Sequence, residues 1–188
     1  MHLLLKKKKK PSREPYREIS SGSKPLKRIY LSIILWFMGR AIQAAARVDK
    51  TVKAEFDALP DGFTFSLGVF PDGPCMVLGK NIRGRVKSLG RRGLEQPVDV
   101  RITIKNIEAA ILLFTFQEST AISTIRDRLV VDGDLSQACA VIRILDIVEV
   151  YLMPKIIARM AVKRYPTWPM TRKMIGRIRI YFRAVLGY

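Results

Sequence analysis

The chain has 188 residues, 48% of them hydrophobic, which is enough for one domain with a substantial core and excludes a wholly disordered protein. Its net charge of +18 is unevenly spread: residues 1–50 carry 13 basic against 3 acidic side chains, residues 51–152 carry 12 against 13, and residues 153–188 carry 9 against none. A near-neutral middle between two cationic flanks points to a polyanionic partner, either nucleic acid or an anionic membrane.

Residues 1–25, rich in Lys, Pro and Ser, read as a disordered basic tail. The opening MHLLLKKKKK does not read as a secretory signal, because its apolar stretch, Leu3 to Leu5, is short and precedes the lysines. The longest apolar run, Ile29 to Met38, supplies about half of the roughly 20 residues that cross a bilayer, and extending it to Ala46 brings in Arg40 and Gln43. Residues 26–38 are therefore expected to form a helix that associates with a membrane without spanning it. The helical pattern continues to Leu59, with Gly39 a candidate interruption and with Ile42, Ala45, Val52, Phe56 and Leu59 on one stripe. LPDGF then ends it with Pro and Gly.

A strand-rich block follows. Phe63, Phe65, Leu67 and Val69 alternate in FTFSLGVF; PDGP is a turn; CMVLGK and GRVKSL are two further strands. VDVRITI is a fourth, with Val98, Val100, Ile102 and Ile104 inward. Short turns between successive strands imply a largely antiparallel sheet. Asn106 is placed to cap an apolar helix over 107–117, and a short helix follows around Thr120 to Arg126. RLVVDGD is the fifth strand, and Asp134 caps a long helix from Leu135 to about Met153. On it Ala138, Val141, Ile142, Leu145, Val148 and Leu152 share a face that Ile144, Ile147 and Tyr151 widen, so it should be covered on more than one side. Pro154 opens another helical segment, which YPTWP (Tyr165 to Pro169) breaks. The end of the chain is a basic amphipathic helix, with Met174, Ile178, Tyr181, Phe182 and Val185 together and Arg172, Arg179 and Arg183 opposite. The expected class is α+β, with a five-stranded, mostly antiparallel sheet covered by helices and basic amphipathic helices at both flanks.

The residues that catalysis usually requires are sparse. The single histidine, His2, lies in the tail, so Ser-His or Cys-His nucleophile systems and histidine metal sites are not expected. There is no GxxxxGK[ST] loop. Asp132 and Asp134 read as a turn and a helix cap, and Cys75 and Cys139 as small buried residues of a reducing compartment. A non-catalytic binding protein without metal or cofactor, other than a bound lipid, is the expectation.

The order helix, LPDGFTFSL, CMVLG, GRVKSL, VDVRITI, apolar helix, RLVVDGDLSQACAVIRIL resembles the sterol carrier protein type 2 lipid-binding family over roughly residues 39–163. The most specific element is LVVDGDLSQACAVIRILD, in which Gly133 and Asp134 occupy the family's Gly-Asp pair between strand and helix. Arg128 to Lys155 is also similar to a bacterial subgroup that includes accessory factors of ubiquinone biosynthesis. The resemblance implies a domain over 39–164 in which a hydrophobic tunnel between sheet and helices holds an acyl chain, sterol or isoprenoid. The residues expected to line it are Phe63, Phe65, Leu67, Val100, Ile102, Ile104, Ile111, Phe114, Val141, Leu145 and Val148, although sequence does not separate a tunnel wall from a dry core. From charge and loop position in GKNIRGRVKSLGRRG, Arg83, Arg85, Arg91 and Arg92 are the expected contacts for a phosphate head group. Trp36, Phe37, Ile178 and Phe182, on the apolar helix and on the helix within residues 165–188, are the expected membrane contacts.

Lys6 to Lys10 add a polybasic run worth about 1 kcal/mol per charge near an anionic surface. The expected setting is cytoplasmic, peripheral to an inner membrane. Two other readings compete. A scaffold that presents a lipid to membrane biosynthetic enzymes shares the pocket and the surface. A nucleic-acid-binding protein would suit the pI near 10.4, but here the charges flank long apolar runs, and no nucleic-acid motif is present.

Overall fold

The computed structural model describes residues 24–90, 97–115, 117–152 and 170–186. The basic tail up to residue 23, Arg91, Arg92, Phe116 and the segment that Pro154 opens lie outside the described residues.

Helix α1 (Pro25–Val48) begins with a proline at its first turn, where a missing N–H costs nothing. It runs through Gly39 without a break, and Leu31 and Leu35 are as buried as Ala41 and Ile42. The expected boundary at residue 39 therefore falls inside one core helix. Gly39 serves close packing instead: a Cβ there would lie 3.0 Å from the Ser88 hydroxyl oxygen.

The helical pattern expected to continue to Leu59 breaks at Asp49, not at Gly39. Asp49 leaves helical backbone, and its carboxylate accepts hydrogen bonds from the Thr51 and Val52 amides at 2.7 and 3.1 Å, starting α2 (Lys50–Asp57). A sequence stripe that keeps its phase across a capping residue cannot show this break.

The strands are β1 (Thr64–Val69), β2 (Cys75–Lys80), β3 (Val86–Ser88), β4 (Val100–Ile104) and β5 (Leu129–Gly133), in the spatial order β3-β2-β1-β4-β5. Three of the four pairings are antiparallel, as the short turns imply. The central β1–β4 pair is parallel, with Phe65 opposite Val100, Leu67 opposite Ile102 and Val69 opposite Ile104. This follows from topology: two hairpins leave β3 running parallel to β1, and the longer connection to β4 returns the chain to β1's free side.

Helix α3 (Ile107–Phe114) is capped by Asn106, whose side-chain oxygen accepts from the Ala109 amide at 2.7 Å, and it stops short of the expected Gln117. Helix α4 (Thr120–Ile125) follows, then α5 (Leu135–Leu152), where Asp134 accepts from the Gln137 amide at 2.9 Å. Helix α6 (Met170–Leu186) packs on α1 and α5. One core cluster joins Leu31, Leu35, Ile42, Phe56, Phe63, Phe65, Val100, Ile104, Val141, Ile144 and Ile180. Each such side chain contributes about 1.5–3 kcal/mol by leaving water. α1 covers the β3 edge, and the side-chain oxygen of Gln43 accepts from the Ser88 amide at 2.9 Å.

Candidate functional site

Helix α5 presents two apolar faces to two different surroundings. Val141, Ile144, Val148 and Tyr151 are fully buried in the core. The other stripe, Leu135, Ala138, Cys139, Ile142, Leu145 and Glu149, lines a cavity of about 330 Å³. The three- and four-residue steps keep these side chains on one side from Leu135 to Glu149, a length of about 21 Å at about 1.5 Å per residue. Leu67 on β1, Ile102 on β4, Leu129 and Val131 on β5, Leu113 and Phe114 on α3, and Met38 on α1 supply the remaining apolar wall. Leu135 is 77% exposed, so this end of the stripe is open to solvent.

The cavity's polar lining is short: Thr120 and Thr124 on α4, and Glu149. Helix α4 is held by a buried carboxylate. Glu118 accepts from the Ser123 hydroxyl at 3.2 Å and from Arg126 and Arg128 at 3.2 and 2.5 Å. The Thr124 hydroxyl donates to the Thr120 carbonyl at 2.9 Å and keeps its lone pairs for another partner.

Glu149 is the unexpected member. Its side chain is half-buried and still touches the cavity, and no described residue hydrogen-bonds or ion-pairs with it. Loss of hydration raises its pKa to about 8, with a smaller push from the negative charge of Asp146 one turn earlier. Burial also raises the Asp146 carboxyl.

Of the eleven expected lining residues, the structure brings Leu67, Ile102, Phe114 and Leu145 to the cavity. Phe63, Phe65, Val100, Ile104, Val141 and Val148 are closed core instead, each almost wholly buried within the one cluster of apolar side chains. Ile111 packs half-buried against that core. The expected head-group arginines are elsewhere. Arg83 is exposed in the β2–β3 turn, and Arg85 lines an open groove with Gln43, Arg47 and Lys87, at the sheet edge opposite β5. Among the described residues no cation lines the cavity. Cys139 is exposed on the rim and Cys75 half-buried, so neither is the buried residue expected. No group of three or more metal-ligating side chains occurs among the described residues.

The expected membrane contacts lie on α1 and α6, whose junction is the ring contact of Phe37 with Tyr181 at 5.6 Å between centroids. Trp36, Ile178 and Phe182 are 53%, 64% and 66% exposed; Phe37 is half-buried by that contact. Helix α6 differs from the simple amphipathic expectation. Gly176, Ile180 and Ala184 are buried, Ile178, Phe182 and Val185 form a second apolar face on the outside, and Arg177, Arg179 and Arg183 lie between the two. Helix α1 is long and apolar enough to cross a bilayer, yet half of that stretch is buried inside the protein.

No protein-family model matches the sequence, and no curated protein matches it at a significant level. Among solved structures the chain is similar to the ubiquinone synthesis protein UbiJ-SCP2, at 19% identity over 66% of this chain and 97% of that one, with a TM-score of 0.39. It is also similar to sterol carrier protein domain 2 of Helicoverpa armigera, at 17% identity over 68% and 94% with a TM-score of 0.42. A third is the apo form of sterol carrier protein 2 from Yarrowia lipolytica, at 13% identity over 62% and 90% with a TM-score of 0.43.

Proposed function

We propose that the protein is a non-catalytic lipid-binding protein that takes one hydrophobic chain into the cavity along α5 while lying on an anionic, cytoplasmic membrane surface. The observation that supports it most is the cavity itself. About 330 Å³ falls within the roughly 300–1,000 Å³ usual for ligand sites, and the lining is aliphatic and aromatic apart from two threonines, Cys139 and Glu149. A closed core would have collapsed on such a space, because unfilled apolar volume costs stability. The outer apolar face of α6 and the exposed part of α1, beside a net charge of +18, support the membrane half of the reading.

Native mass spectrometry with lipid extraction on the purified full chain tests the pocket. A lipid at near one-to-one ratio is expected, and Ile142→Trp, which narrows the cavity, should lower its occupancy. A protein that arrives lipid-free and leaves a fluorescent fatty alcohol unbound would sink the reading.

A further inference from the structure

We infer that Glu149 is the specificity-determining residue of this cavity: it selects a neutral lipid that carries a carbonyl or hydroxyl oxygen at one end, and it disfavours a free carboxylate. The inference rests on the lipid-binding reading above and names the ligand class for that same site.

Three observations carry it. First, Glu149 is in line with the apolar stripe of α5 and is the last residue of that stripe to line the cavity, so a chain lying along the stripe meets its carboxyl. Second, the carboxyl has no partner among the described residues. The charged and titratable groups on the neighbouring elements make other contacts or face solvent; among the described residues one buried side-chain donor, Arg40 Nε, has no hydrogen-bond partner. Arg40 of α1 lies 4.9 Å over the Trp36 ring; Glu55 of α2 pairs with Arg143; Arg177 of α6 donates to the Tyr151 and Val150 carbonyls; Tyr151 donates to Asp49. Tyr181 of α6 donates to the Leu152 carbonyl, and Asp132 of β5 is exposed. Asp146, on α5 itself, carries the same sign as Glu149. Third, the cavity is lined by no cation among the described residues.

A protonated carboxyl offers one O–H donor and an accepting oxygen, which suits a carbonyl or an alcohol. A ligand carboxylate would enter an apolar site that no cation lines among the described residues, beside a potential anion, which is costly. With the pKa at about 8 the donor is present at pH 7 and absent well above pH 8.

The test uses the full chain and two fluorescent probes of equal chain length, an NBD-labelled fatty alcohol and the matching NBD-labelled fatty acid. The alcohol should bind about tenfold or more tightly than the acid at pH 7. Its affinity should fall by about tenfold or more between pH 7 and pH 9.5, since each unit above the pKa removes about nine-tenths of the remaining protonated form. Glu149→Gln, which keeps a donor but cannot ionise, should flatten that profile. Asp146→Asn, which removes the like charge, should move its midpoint to lower pH. Equal or tighter binding of the fatty acid, or a pH loss that survives Glu149→Gln, would overturn the inference and leave the pocket standing. Binding of neither probe would overturn both.

Discussion

The Glu149 carboxyl has a thermodynamic consequence apart from any ligand. In the unfolded chain a glutamate titrates near 4.5, whereas in the fold Glu149 holds its proton to about pH 8. Between these values the folded state binds more protons than the unfolded state, so stability falls as pH rises through this window and levels off above it. The raised pKa corresponds to a cost on the order of 3 kcal/mol at pH 7. Glu149→Gln should therefore raise the urea midpoint at pH 7 and reduce the decline in stability between pH 5 and 8; an unchanged slope would show that Glu149 ionises freely. The residue was open to detection in the sequence. Leu135, Cys139, Ile142, Leu145 and Glu149 follow the helical step, and a glutamate in register with an apolar stripe is a conflict that a buried site explains. Apolarity alone was the wrong guide: it grouped Leu145 with Val141 and Val148, which lie on the core side of the same helix.

Between elements, the clearest dependency is the docking of α6. The Tyr151 hydroxyl donates to Asp49 at 2.5 Å, so the ring is fixed at the α1–α2 break, and Gly176 packs against it. A Cβ at Gly176 would come within 2.6 Å of the ring's Cε1 and within 3.3 Å of Cζ. Alanine favours an isolated helix by up to about 1 kcal/mol over glycine. Gly176→Ala should nonetheless destabilise the protein by about 1–3 kcal/mol, because a tethered ring cannot move aside. A thermal shift upward instead would mean that α6 is not seated on Tyr151. Much of this scale was legible in sequence: five strands, their inward residues on β1 and β4, and the caps Asn106 and Asp134 all follow from period and cap chemistry. The parallel β1–β4 pair and the break at Asp49 were not, because each depends on what the chain meets far away. Asp49, for instance, is satisfied in part by a tyrosine 102 residues later.

For the whole molecule, the question is what covers an outer surface that carries both charge and grease. The exposed Ile178, Phe182 and Val185 of α6 and Ile29, Ile33 and Trp36 of α1 lie on two helices joined at Phe37 and Tyr181, and Arg177, Arg179 and Arg183 border the α6 face. Lys24 and Lys27 are paired with Glu108, so they contribute less to an outer field than their count suggests. A nucleic-acid surface would be polar and would release its ligand steeply with salt. An interfacial surface combines charge, which salt screens, with apolar insertion, which it does not. The full chain should therefore co-sediment with vesicles containing anionic lipid, and raising salt should weaken but not abolish that binding. Removing two inserted side chains, in Ile178→Asp with Phe182→Asp, should cut vesicle binding by about a hundredfold or more, taking about 1.5 kcal/mol or more for each. Both residues point away from the side of α6 buried through Ile180 and Ala184, so the thermal midpoint should barely move. Binding that disappears at high salt and ignores the double substitution would instead mean that charge alone holds the protein to its partner, and the nucleic-acid reading would then take precedence.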